Sequence, residues 1–120
     1  MKMPGSDHPI AITRNARRVR VHFAGRVIAD TCRALTLKEA HYPPVQYIPR
    51  EDVDVSAFTR TTRHTHCPYK GEASYFHLHT EDGMIENAVW SYETPLEQAQ
   101  QIKGYLAFYA SRVDRIDQTS

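Results

Sequence analysis

The sequence lacks long apolar runs, has few cysteines and carries almost no net charge, and each shortage closes a class of explanation. No stretch approaches the roughly 18 apolar residues that a membrane helix needs, so no membrane-spanning role is expected. Lysine and arginine number 15 against 14 acidic residues, a net charge of +1. Without a broad basic field, neither nucleic acid nor an anionic membrane surface is an expected partner. Only two cysteines occur, Cys32 and Cys67. Met1–Ile10 carries no apolar leader, so the reading is a reducing cytoplasm with both thiols free. There is no glycine-rich phosphate loop and no pair of aspartates placed to hold magnesium. No repeat, low-complexity tract or linker divides the chain. Its 120 residues, 41% apolar and 24% charged, fit one domain. The core is expected over 8–113, with 1–7 and 114–120 as flexible ends.

What is present reads mostly as strand. Arg18–Phe23 alternates with period two, Val19, Val21 and Phe23 on one face and Arg18, Arg20 and His22 on the other. Ala24-Gly25 turns the chain and Arg26–Asp30 returns, which predicts a hairpin. Pro9–Ile12 suits an edge strand, and Arg33–Glu39 suits a further strand or a helix. The three prolines between Tyr42 and Arg50 forbid a regular helix and predict an extended crossing. A helical turn is expected near Asp52–Phe58, capped by Asp52 or Asp54. Arg60–His66 reads as strand or exposed loop, and Ala73–Thr80 as strand. Glu81-Asp82-Gly83 is a hairpin signal, and Asn87–Tyr92 pairs back. Thr94-Pro95-Leu96-Glu97 predicts a capped helix reaching Lys103, stopped by Gly104. Tyr105–Tyr109 reads as the last strand. The sum is a mainly β domain with one short helix near the C-terminus.

Four ordered motifs then stand together: Tyr47-Ile48-Pro49-Arg50-Glu51-Asp52-Val53, Cys67-Pro68-Tyr69-Lys70-Gly71-Glu72-Ala73-Ser74-Tyr75, Val89-Trp90-Ser91-Tyr92-Glu93-Thr94-Pro95 and Ile102-Lys103-Gly104-Tyr105-Leu106-Ala107-Phe108-Tyr109. Over about Pro9 to Val113 the chain resembles the domain of unknown function 427 family, also filed under a nucleotidyltransferase-like label. The resemblance implies a small curved two-sheet domain, the β-tent topology of Mss4-like proteins. It implies no established activity.

The candidate chemistry centres on residues 66–71. A cation close to a thiol favours its thiolate, so Cys67, three residues before Lys70, is a candidate nucleophile or redox centre. The alternative is a small buried residue with Pro68-Tyr69 fixing the turn; Cys32 reads as packing. Arg50 and Lys70 suit an anionic ligand, or pair with local acids. Gly71 suits a close backbone approach or a positive φ. Mss4-like folds bind on a concave sheet face, which makes Tyr47, Tyr69, Tyr75, Trp90 and Tyr92 candidate walls of a pocket; the alternative is an aromatic core. His64-x-His66 and His77-x-His79 place imidazoles on one strand face, but the resemblance does not require them, and neither a native metal nor a cofactor is expected. Three readings follow: a binder of a small anionic or nucleotide-like molecule, a cysteine-dependent enzyme, or a protein-interaction module. Nothing in the sequence speaks to oligomeric state.

Overall fold

The alternation in Arg18–Phe23 becomes strand β2, whose burial follows it: Val19, Val21 and Phe23 are buried and the residues between them are not. The structure is a computed structural model that describes residues 9–81 and 83–120. The expected flexible segment 1–7, residue His8 and the turn residue Asp82 lie outside the described residues. Strand β1 spans Ile10–Arg14. From β2, a two-residue turn of Ala24 and Gly25, both at positive φ, leads into β3, Arg26–Thr31. Such turns match the twist of the strands they join. Strand β4, Leu35–Glu39, pairs with β1 on one side and β5, Val45–Tyr47, on the other. Asp54 caps the short 3-10 turn Val55–Ala57 by accepting from the Ser56 N–H, as its sequence position predicts.

Three long strands follow: β6, Phe58–Cys67, β7, Gly71–Thr80, and β8, Gly83–Pro95. With β9, Ala107–Phe108, they make a four-stranded antiparallel sheet. The segment 114–120, expected to fray, instead carries a strand: Arg115–Thr119 is β10 and pairs with β2 from His22 back to Arg18. Local composition gave no hint of this, because the apolar partner it covers lies far back in the chain. The fold is mainly β, as expected, but the strands of the described residues divide among three sheets rather than the two that the resemblance implied: β1-β4-β5, β10-β2-β3 and β6-β7-β8-β9. The late helix is a 3-10 stretch, Glu97–Ile102. Thr94 and Pro95 finish β8, so the predicted capping box does not form; Leu96 precedes the first helical residue with no side-chain cap.

Strand β7 explains the layering. Ala73 through Phe76 are all buried, the mark of a strand covered on both faces. On one face Phe76 and Leu78 join Val19, Val21, Phe23, Ile28, Val89 and Phe108. On the other, Ala73 and Tyr75 join Leu37, Tyr47, Tyr92, Ile102 and Ala107. The four-stranded sheet therefore separates two apolar cores, and its buried apolar side chains fall in one or the other.

Candidate functional site

Cys67 closes β6 opposite Gly71, and Pro68, Tyr69 and Lys70 form the turn between them. Gly71 sits at φ +110 where the chain crosses the end of β8; an added Cβ would lie 3.0 Å from the Leu96 nitrogen and 3.2 Å from the Pro95 Cα. Its missing side chain thus serves a backbone crossing within the protein. The Leu96 N–H donates to the Lys70 carbonyl at 2.9 Å, and the Gln98 side-chain amide donates to the Tyr69 carbonyl. The turn is fastened to the 3-10 stretch on both counts.

Lys70 folds back under this turn. Its Nζ meets Glu39 Oε1, at the end of β4, at 2.5 Å and lies 5.4 Å from the centre of the Tyr92 ring. Burial alone would push the Lys70 ammonium down, but the Glu39 hydrogen bond and the neighbouring Tyr47, Glu39 and Cys67 outweigh it and hold Lys70 above its ordinary value. Burial pushes the Tyr47 and Tyr92 phenols up. Trp90 Nε1 donates to the Tyr47 hydroxyl at 3.1 Å, with the rings edge to face. Tyr47 is 1% exposed and Tyr92 6%. Cys67, half-buried, borders the same cluster. These residues converge as the sequence suggested, but as a packed core around a buried ion pair. The Lys70 charge is spent on Glu39. Cys32, read as packing, is exposed.

Arg50 does not join them. Its Nε donates to the Gly104 carbonyl at 3.1 Å, its NH2 nitrogen reaches Glu93 at 3.1 Å, and its guanidinium stands over the Phe76 ring. Arg60 grips Glu93 with two bonds of 2.7 and 2.8 Å. The Arg60 hydrogen bonds, against some opposing burial, pull the Glu93 carboxyl down to about 2. Neighbouring strand residues point to opposite faces, so Ser91, Glu93 and Phe76 oppose Tyr75, Trp90 and Tyr92. Arg50 and Cys67 therefore act on opposite sides of the sheet. A single pocket with Arg50, Cys67 and Lys70 at its polar end is not formed.

The histidines also separate. His64 approaches Glu72 at 3.7 Å, His79 bonds Thr59, and His77 Nδ1 accepts from the Asn87 N–H at 3.0 Å. Among the described residues, no three His, Cys, Asp or Glu side chains gather as metal ligands would.

An open cavity of about 310 Å³ lies at the edge of the Tyr75 face, lined by Arg63, Tyr75, Asn87, Tyr109, Ser111 and Arg112. Arg63 comes from β6, Tyr75 from β7 and Asn87 from a bulge in β8, while Tyr109–Arg112 is the turn after β9. The Arg63 guanidinium stands 5.2 Å from the centre of the Tyr75 ring, and the Tyr75 hydroxyl bonds Thr65 at 2.8 Å. Burial, then the hydrogen bond with Tyr75, pushes the Tyr109 phenol up to about 12, so it remains a donor at neutral pH. Asn87 has φ +50, and its buried Oδ1 has no partner among the described residues. Strain and unpaired polar atoms of this sort collect at functional sites. Arg18, Arg26, Arg33, Arg50, Arg60 and Arg115 all pair with carboxylates. Arg63 and Arg112 have no acidic partner among the described residues. Of the sequence candidates only Tyr75 lines this cavity, with Trp90 packed beside it, its ring centre 4.4 Å from that of Tyr109. Nothing in the local pattern at Arg63 or in Ala110-Ser111-Arg112 signals the meeting, because three strands and a turn distant in sequence produce it.

No curated protein matches the chain. The sequence pattern of one family covers residues 11–119, so nearly all of the fold above falls within it. The chain belongs to the family described as Domain of unknown function (DUF427).

Proposed function

We propose that the protein binds a small anionic molecule, and that the Arg63–Arg112 cavity is where it does so. The observation that carries this reading is the meeting of two guanidiniums, neither paired with an acid among the described residues, with the phenols of Tyr75 and Tyr109 and the Ser111 hydroxyl. Planar guanidiniums and hydroxyl donors suit the oxygens of a phosphate or carboxylate. A reducing cytoplasmic setting fits two thiols that are both free, neither of them lining this cavity.

Calorimetric titration with inorganic phosphate and with adenosine monophosphate tests the reading. A charge-assisted hydrogen bond contributes about 1.5–3 kcal/mol, so Arg63→Ala and Arg112→Ala should each weaken binding about tenfold or more, while Arg26→Ala leaves it unchanged. Unaltered affinity in both cavity variants, or no binding of either anion at low salt, sinks it.

A further inference from the structure

A second hollow lies next to the first. It is a groove of about 300 Å³ whose floor and sides include Val21, Val45, Ile48, Trp90, Phe108 and Ile116. It forms where β5 and β10, each the last strand of its own sheet, are tied together through side chains. Asn15 Nδ2 donates to Gln46 Oε1 at 2.9 Å and to Gln118 Oε1 at 3.0 Å, one on each strand. The groove is mostly apolar, and among the described residues no charged side chain lines it.

Two observations join it to the cationic cavity. The turn after β9 divides its residues between them: Tyr109, Ser111 and Arg112 line the cavity, and Ala110 lines the groove. Trp90, on the groove, packs against Tyr109, on the cavity. Trp90 has also given its only donor to Tyr47, so it offers the groove nothing but the face and edge of its ring. An anion alone would need only the cavity. A purely apolar molecule would gain nothing from Arg63 and Arg112.

We infer that the cavity and the groove are two halves of one amphipathic site, which takes a small molecule with an oxyanion head and an apolar body about the size of a phenyl ring. The inference rests on the anion-binding reading above and adds the body of the ligand to its head. The head sits between Arg63 and Arg112, and the body lies across the Tyr109–Arg112 turn against Trp90, Ile116 and Val45. The shared chemistry is that of an aryl or short alkyl phosphate or carboxylate.

The test compares inorganic phosphate, phenyl phosphate and benzoate, by calorimetry and by the fluorescence of Trp90, the single tryptophan. Removing a phenyl ring from water is favourable in proportion to its area, so phenyl phosphate should bind at least tenfold tighter than inorganic phosphate. Phenyl phosphate should also shift the emission of Trp90, which inorganic phosphate leaves alone. Benzoate reports whether a planar carboxylate head serves as well as a tetrahedral one. Ile116→Gln should abolish the gain from the ring while keeping phosphate affinity. Ala110→Phe, at an exposed position, fills the groove from its rim and should do the same if Ile116→Gln fails to fold. Phosphate binding with no gain from the ring overturns the amphipathic site and leaves the anion reading standing. Loss of binding by all three ligands overturns both. A gain that survives Ala110→Phe places the ring elsewhere and also overturns this inference.

Discussion

Lys70 shows how much a single buried charge can determine. Its side chain and that of Glu39 are 13% and 15% exposed, so neither can be left alone without a large penalty. Lys70→Met should destabilise the fold by about 3 kcal/mol in a denaturant titration, and the double variant Lys70→Met with Glu39→Leu should recover much of it. A recovery near zero would mean the pair holds more than its own charges. Because folding raises the Lys70 value, its contribution is complete below its ordinary value of 10.5 and disappears as pH rises through the folded value. Glu93 behaves in the opposite sense. Folding lowers it from 4.5 to about 2, so its contribution is complete above 4.5 and is lost as pH falls toward 2. Glu93→Gln should flatten the acid limb of the stability profile over that window, and an unchanged limb would assign it to other carboxylates. For the thiols, Cys32 is exposed and Cys67 half-buried, so iodoacetamide should label Cys32 first. Rapid labelling of Cys67 in a Cys32→Ser variant at neutral pH would revive a catalytic role for it.

At the level of strands and turns, the sequence was legible wherever the cause was local. The β2–β3 hairpin follows from alternating apolar residues and a Gly-containing turn, and the Asp54 cap follows from one side chain reaching two residues ahead. The late helix misled because Thr94, Pro95 and Glu97 carry a genuine capping pattern. Pairing with Gly71 and Glu72 of β7 holds Thr94 and Pro95 extended instead. Strand pairing overrides a cap worth about 1 kcal/mol. Gly71 is the joint in that arrangement. Gly71→Ala would need a left-handed backbone and would press a methyl group against the Leu96 nitrogen. It should cost about 2–3 kcal/mol, measured as a lower midpoint of thermal unfolding. A neutral effect would mean that the end of β8 can move away.

Across the whole molecule, the difference between a legible core and an illegible site comes from the central sheet. The aromatic residues that marked the motifs do converge, and Tyr47, Trp90 and Tyr92 are neighbours as the sequence implied. What no sequence pattern conveyed is that the β6-β7-β8-β9 sheet has a core on each side, which sends Arg50 to one and Cys67 to the other. The candidate cavity is illegible for a related reason, since Arg63 and Arg112 meet only after the four strands of that sheet have paired. A still longer reach is that of β10, which pairs with β2 across most of the chain, Ile116 against Val21. Contacts so distant in sequence form late. During synthesis, until residue 119 has left the ribosome, β2 has an empty edge where its neighbour belongs. A nascent chain in that condition offers unpaired backbone to any other nascent chain nearby. Pairing of Arg115–Thr119 is then what covers that edge.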